Sequence, residues 1–285
     1  MKSDYWEIAK NSFFGYKDYL VHELLNPSWH NYFYWLLGLS LVVWFLEYLF
    51  PWRTNQSIVR KDFWLDGFYM FFNFFLFSLI GYSAISNVFV ALFNDFLGLF
   101  GITNMVAIEL GSLPAIVQYL IMFIIADFIQ WNTHRLLHAV PKLWEYHKLH
   151  HSVEEMGFAA HMRYHWMETI IYKSIQYIPL AMLGFGIKDF FVLHIIAVAI
   201  GHLNHSNINI SYGPLKYILN SPTMHIWHHA KDLPIKSGVN FGISLSLWDY
   251  LFKTAYIPKS GRDIVLGFED IESYPKDFVG QVTKL

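Results

Sequence analysis

Apolar residues fall along this chain in long runs, not in the short amphipathic segments of a water-soluble domain. Residues 32–50 are apolar apart from Glu47 and a few polar uncharged positions, about the twenty-residue length at which a helix crosses a bilayer core. Pro51 and Trp52 close this run, and Arg53, Arg60 and Lys61 follow. No residue of 67–93 is charged, which accommodates a second crossing that is tilted or kinked. A third run covers 113–129. A further pair covers 169–186 and 190–201, divided at Gly184-Phe185-Gly186. Residues 1–31 mix Trp6, Phe13, Phe14, Tyr16 and Trp29 with Lys2, Lys10 and Lys17, and predict a short interfacial lead-in. The pattern as a whole predicts an all-α integral membrane protein with about four to five transmembrane or re-entrant helices.

Charge orients these helices, because short Lys- and Arg-bearing loops stay cytoplasmic. The loop at 51–66 goes inside. The stretch at 94–112 holds Asp95 and Glu109 but no Lys or Arg, and goes outside. Residues 131–168, with Arg135, Lys142, Lys148 and Arg163, go inside again. The later helix pair returns the chain to that side, so His165 and His205 come level with the earlier histidines. Beyond Ser206 the chain is more polar, with turn signals at Tyr212-Gly213-Pro214, Asp232-Leu233-Pro234 and Ser260-Gly261. Ser221 is placed to cap a helix that begins at Pro222, and Pro141 is placed to begin another. The expected layout is membrane-anchor helices over 1–112, a histidine-rich domain with a cytoplasmic helical cap over 113–260, and a tail over 261–285.

Composition agrees with a membrane setting: 55% of residues are hydrophobic and 15% charged, against about 25% charged in an ordinary soluble domain. A formal net charge of −2 and the lack of a basic run give no footing for a nucleic-acid partner. The chain has no cysteine, which excludes disulfides, thiolate metal sites and cysteine nucleophiles. Its first 25 residues lack the charged-then-apolar layout of a cleaved signal peptide.

Thirteen of the fifteen histidines lie between Asp127 and Ala230. They include His134 and His138, then His147, His150 and His151, then His225, His228 and His229. Residues three and four apart share a helix face, so the three clusters aim eight imidazoles inward. That is too many for one ion of four to six ligands and suits two. Imidazole suits iron, zinc, copper or nickel. Neighbouring residues diverge by about 100° around a helix, which predicts that the last two histidines of each triplet serve different ions. On that geometry His147 and His150, His225 and His228, and His134 share one ion. His151, His229 and His138 take the other, completed by His205 and His202. Such a site brings no negative charge, so carboxylates must supply it and orient the rings; Asp127, Glu145, Glu168 and Asp249 are the candidates. Asp127 shares a helical stripe with His134 and His138, as partner to a ligand histidine or to Arg135.

These motifs resemble the fatty acid hydroxylase/sterol desaturase superfamily. The likeness rests on the H-x-x-x-H and two H-x-x-H-H boxes and on Arg163-Tyr164-His165-Trp166-Met167-Glu168. It extends to His205-Ser206-Asn207, to Asn240-Phe241-Gly242 and to Trp248-Asp249-Tyr250-Leu251-Phe252, within about residues 115–260. It departs at Trp166, where the family leads one to expect proline, and at Lys253, where it leads one to expect glycine. The resemblance implies a non-haem di-iron oxidoreductase that uses dioxygen to hydroxylate or desaturate a lipid such as a sterol-like, isoprenoid or fatty acyl substrate. It implies His205 as a metal ligand, and Asp127, Glu168 and His165 in orienting or catalytic roles. Zinc can replace iron in a purified sample. Electrons are expected from a separate protein, cytochrome b5-like or a ferredoxin with its reductase. The substrate is expected to enter from the bilayer, beneath the cap. A haem-binding membrane cytochrome also pairs histidines across helices, but needs only two per haem. A non-catalytic metal- or lipid-binding membrane protein is the other class that carries such boxes.

Overall fold

The computed structural model describes residues 4–76, 83–103, 106–185, 187–235 and 237–284. Among them, regular structure consists of eleven α-helices, short 3-10 turns and three isolated β-bridges. In chain order the helices are α1 (Tyr5–Leu25), α2 (Tyr32–Leu49), α3 (Phe63–Phe71), α4 (Ser83–Gly98), α5 (Ala115–Ala139), α6 (Pro141–His151), α7 (Trp166–Met182), α8 (Ile187–Asn204), α9 (Pro222–His228), α10 (Leu247–Leu251) and α11 (Phe278–Thr283).

Proline punctuation works as expected. Val140 holds extended backbone between α5 and α6, and Pro141 opens α6 where its missing N–H costs nothing. Pro222 opens α9 after an extended Ser221. Ser221 makes no side-chain cap bond, however; its hydroxyl meets Thr223 Oγ1 at 3.1 Å instead. The N-terminal segment departs from the expected short lead-in. Asp4 caps a helix of 21 residues by accepting from Glu7 N. That helix runs antiparallel to α4, with Tyr5 Oη donating to Asp95 Oδ2 at 2.7 Å and Asn87 Nδ2 to Ser12 Oγ at 2.8 Å.

Two helices, α2 and α5, are long and apolar enough to cross a membrane. Shorter apolar stretches cover Asn87–Gly98 of α4 and Val192–Asn204 of α8. The expected second crossing lies partly outside the described residues: α3 continues into a π-helical turn over 72–76, residues 77–82 are not among those described, and α4 begins at Ser83. Gly186, the last residue of the expected break between α7 and α8, also lies outside them, as do 104–105 of the expected outer loop. Along α2 the side chains of Leu41, Val42, Phe45 and Tyr48 point outward, as do Ile116, Leu120 and Ile124 on α5.

Inside the bundle α2 packs on α8 and α5 on α7, and Met122, Leu180 and Leu193 join α5, α7 and α8 in one apolar core. The cap has its own core, in which Val153, Met156 and Ala160 meet Ile226, Trp227 and Leu266. The segment expected as a tail packs into the body. Phe278 of α11 sits against Phe68, Tyr69 and Phe72, and Tyr69 Oη donates to Gln281 Oε1 at 2.9 Å. Lys253, where the resemblance calls for glycine, has φ of 60°, the left-handed region that a residue without Cβ occupies most easily.

One close approach makes the fold testable. A Cβ on Gly201 of α8 would stand 2.2 Å from His161 Nε2 and 2.3 Å from its Cε1. The ring has little room to retreat, because its Nδ1 faces His202 Nδ1 at 3.2 Å. Gly201→Ala is expected to destabilise the protein by about 1–3 kcal/mol, as overpacking does. Thermal unfolding in detergent measures it, and an unchanged midpoint would show that the ring yields freely.

Candidate metal centre

Three helices and one loop junction deliver the histidines. The inner end of α5 carries His134 and His138, α6 carries His147, His150 and His151, and α9 carries His225 and His228 with His229 at its C-cap. His205 follows directly on α8. The nine rings close into two groups. His134, His138, His147, His151 and His228 form the first, and His150, His205, His225 and His229 the second. In each group the ligand atoms lie within 4.8 Å of one another. All but His138 are buried, and His138 is half-buried.

The facing atoms are the Nε2 nitrogens. His134 and His147 meet at 3.0 Å, as do His151 and His228. In the second group His150 meets His205 at 3.1 Å, His205 meets His225 at 3.1 Å, and His225 meets His229 at 3.3 Å. Two nitrogens each about 2.1 Å from one ion and at right angles to each other stand about 3.0 Å apart. The spacing is therefore that of ligand edges around a cation.

The opposite ring nitrogens show which form the imidazoles take. His134 Nδ1 bonds Phe241 O at 2.7 Å, His228 Nδ1 bonds Val239 O at 2.8 Å, His205 Nδ1 bonds Gly201 O at 2.7 Å and His150 Nδ1 bonds Arg163 O at 3.1 Å. His147 Nδ1 bonds Glu168 Oε2 at 2.8 Å. Carbonyl and carboxylate oxygens only accept, so each of these Nδ1 atoms carries the proton and donates it. That leaves a bare lone pair on the Nε2 of each of these five rings, so His134 faces His147, and His150 faces His205, acceptor to acceptor. Two lone pairs 3.0 Å apart repel unless a cation sits between them. His138 Nε2 makes the same demand, being buried without a hydrogen-bond partner. Burial also keeps the rings uncharged. It lowers the pKa of His147 to about 3 and, aided by the neighbouring His147, that of His150 to about 4. His151, His205, His225, His228 and His229 are likewise pushed well below the ordinary value, first by burial and then by one another. An uncharged, all-imidazole donor set fits a borderline transition metal and not a hard ion such as magnesium.

The grouping corrects the sharing expected from the sequence. His147 pairs with His151, His225 with His229, and His134 with His138, each four residues apart, while the middle histidines His150 and His228 turn to the other group. Four residues advance a helix by about 40° beyond a full turn, whereas three fall about 60° short. Rings four apart thus lie nearer one line. The two members of each adjacent pair, His150/His151 and His228/His229, fall in different groups, and His147 and His225 are each grouped with the histidine four residues away where the spacing predicts the one three away.

Other candidates take different places. His202 joins neither group; its Nε2 meets Ser40 Oγ at 3.0 Å and its other nitrogen faces His161. His165 turns away from both groups, bonding Val282 O at 2.9 Å and accepting from Met167 N at 3.1 Å. Asp127 bonds neither a histidine nor Arg135. It accepts from Trp248 Nε1 at 2.9 Å and Ser244 N at 3.2 Å, while Arg135 lies over the Trp131 ring. Glu145 pairs with Lys148. Asp249 is more central than the sequence implied. It accepts from Phe241 N and Gly242 N at 2.9 and 2.8 Å, from Trp131 Nε1 at 3.0 Å and from Thr254 Oγ1 at 2.6 Å. It thereby fixes the loop whose Phe241 carbonyl holds His134. Burial raises the pKa of Asp249, and these four donors counter it. Gly242 is required there, since a Cβ would stand 2.3 Å from Leu245 O. Asn240, at φ 52°, ties the same loop to Met224 and Tyr256 through its amide. The orienting carbonyls of Gly201, Arg163, Val239 and Phe241 were not foreseen; any residue offers a carbonyl, so no side-chain signal marks them.

Residues 119–254 match the fatty acid hydroxylase family model. Among curated proteins the chain is 34% identical to ornithine lipid hydroxylase OlsE of Rhizobium tropici over 171 residues, 60% of this chain and 51% of that one. It is 31% identical to alkylglycerol monooxygenase of Homo sapiens over 134 residues, 46% of this chain and 29% of that one. It is 27% identical to very-long-chain aldehyde decarbonylase GL1-10 of Oryza sativa subsp. japonica over 149 residues, 51% of this chain and 48% of that one. The match thus spans about half, or less, of the length of these relatives. No solved structure matches the chain. The matched segment contains all nine converging histidines, so the likeness to the fatty acid hydroxylase family falls on the site itself.

Proposed function

We propose that this protein is a membrane-bound, dioxygen-dependent lipid hydroxylase that holds two iron ions. The observation that carries the reading is the pair of imidazole cages whose lone pairs face one another at 3.0–3.3 Å. His134, His138, His147, His151 and His228 would hold one ion, and His150, His205, His225 and His229 the other. Two irons there would supply the redox chemistry that lets dioxygen attack an unactivated C–H bond. The chain's part is to aim and protect. Glu168 and four backbone carbonyls fix the ring tautomers, and Glu168 brings the one carboxylate that touches a cage histidine directly. Burial keeps water and protons off the nitrogens. The five-to-four division leaves the second group with fewer protein ligands and more open positions.

Outward-facing leucine, valine and phenylalanine side chains on α2 and α5 suit lipid and not water, and support residence in a membrane. The charge pattern supports a cytoplasmic cap. Because α5 runs from the apolar bundle into the first cage, a substrate chain dissolved in the bilayer lies beside the helix that carries His134 and His138. The names of the relatives speak of ornithine lipid hydroxylation and alkylglycerol monooxygenation. They favour a polar membrane lipid as substrate and insertion of oxygen over desaturation. Electrons would come from a separate cytochrome b5-like or ferredoxin partner. A haem reading finds no support in the site, because imidazoles this close leave no slot for a macrocycle between them.

Three outcomes are expected. Iron-loaded protein given a reductant, a lipid extract and heavy dioxygen should release a lipid carrying one labelled oxygen, read by mass spectrometry; an equal yield without dioxygen would sink the oxygenase reading. His151→Ala and His150→Ala should each halve the iron content, and the two together should abolish it. Elemental analysis decides this, and two ions retained in either single variant would break the grouping. The third concerns acid. Free histidine titrates at about 6.5, whereas His147 and His150 are lowered to about 3 and about 4 in the folded state. The unfolded chain therefore takes up protons first, and the stability is complete above about pH 6.5 and lost as pH falls toward 4. Metal-stripped protein should melt at progressively lower temperature between pH 7 and pH 5, and a flat profile would contradict this.

A further inference from the structure

The two histidine groups are supported from different parts of the chain. Rings of the first group are oriented by Glu168 at the start of α7 and by the loop carrying Val239 and Phe241. Part of the support for the second group comes from before residue 76, beside the Gly201 carbonyl that holds His205 and Asn220, which faces His225 Nδ1 at 3.4 Å. His150 leans on the Arg163 carbonyl, and the Arg163 guanidinium is held by Asp62 Oδ2 at 3.0 Å and Asp66 Oδ1 at 3.2 Å. Arg60 closes on the other oxygen of Asp66. Arg60, Asp66 and Arg163 are all buried. Gly157 leaves the space that Arg60 fills, since a Cβ there would meet Arg60 Nε at 2.5 Å. Asn73 donates to the carbonyls of Met162 and Tyr164, bracketing Arg163 on both sides.

His205 is fastened from the same quarter. Glu47 Oε1 on α2 accepts from Asn207 N at 2.7 Å and from Phe158 N at 2.9 Å. The backbone after α2 completes the clamp. Trp52 N donates to Asn207 O at 2.9 Å, and Arg53 N to Asn207 Oδ1 at 2.8 Å. One carboxylate oxygen thus pins both the turn leading to Arg163 and the residue two beyond His205. Glu47, Asp62 and Asp66 all lie outside the family-matched segment.

We propose that the four-histidine group is positioned by the N-terminal helices, through Asp66 and Glu47, independently of the five-histidine group. These are positioning residues: neither touches a cage nitrogen, and each acts through a backbone atom that does or that sits beside one. The physical warrant is that a charge buried against a guanidinium or two backbone donors holds its partners stiffly, and its removal leaves buried groups unpaired. A cage of four loses its edge spacing when one ring swings, while the other cage rests on separate supports. This inference rests on the two-ion reading above.

The test uses the full chain in detergent, loaded with iron and counted by elemental analysis. Wild type should hold two ions, and fewer would overturn the two-ion reading and this inference with it. Given two, Asp66→Asn and Glu47→Ala should each fall to about one. Glu47→Gln, which keeps an acceptor oxygen for Asn207 N and Phe158 N, should keep both. Adding Asp66→Asn to His150→Ala should remove nothing further, whereas adding it to His138→Ala should remove the remaining ion. Two ions retained in both Asp66→Asn and Glu47→Ala overturn the proposal, and so does loss of both ions in either variant. Glu47→Ala keeps the test decisive if Asp66→Asn fails to fold.

Discussion

Nine imidazole rings gathered into two tight groups are the constraint on which this architecture depends. Where both Nδ1 atoms are bonded from behind, as in His134 with His147 and His150 with His205, each Nε2 is an acceptor facing an acceptor. The arrangement persists only because every ring with a bonded Nδ1 is held from behind, by carbonyls of Phe241, Val239, Gly201 and Arg163 and by the Glu168 carboxylate. A cation in each group would convert this repulsion into metal–ligand bonds. Metal binding and folding would then be one process in this region, with the short helices α6 and α9, too short to be stable alone, fastened at their histidine faces.

The supporting structure follows from that need. Two buried carboxylates, Asp127 and Asp249, spend their oxygens on backbone amides and tryptophan N–H groups, not on the metal ligands. They fold the loop after residue 238 back onto α5, and that loop presents the carbonyls that aim His134 and His228. Asn240 and Gly242 satisfy its tight geometry. The bundle has a parallel function. α5 is continuous from its outward-facing apolar stretch into the first cage, so one helix carries both the apolar surface and two of the cage histidines.

The match to the fatty acid hydroxylase family over residues 119–254 thus falls on residues whose geometry is built into the site. The N-terminal helices lie outside the family match, yet Glu47 and Asp66 reach the turns that carry Arg163 and Asn207. In this structure they are more than an anchor, since part of the cage is built against them.

What the sequence determined by itself was local and periodic. Long apolar runs marked the helices, prolines 141 and 222 marked where two of them begin, and histidines at fixed spacing announced a convergence of imidazoles. The absence of cysteine removed thiolate from the donor set. Tertiary structure alone decided how the rings divide, because a difference of about 100° between a three-residue and a four-residue step acquires meaning only when the facing helix is in place. It alone turned His202 toward Ser40 and His165 toward Val282, although both carry the right side chain for a ligand. It also drew the orienting atoms from main-chain carbonyls and from carboxylates up to about a hundred residues away. A carbonyl has no sequence signature, and a buried aspartate reads the same whether it will meet a metal ligand, a tryptophan or a backbone amide.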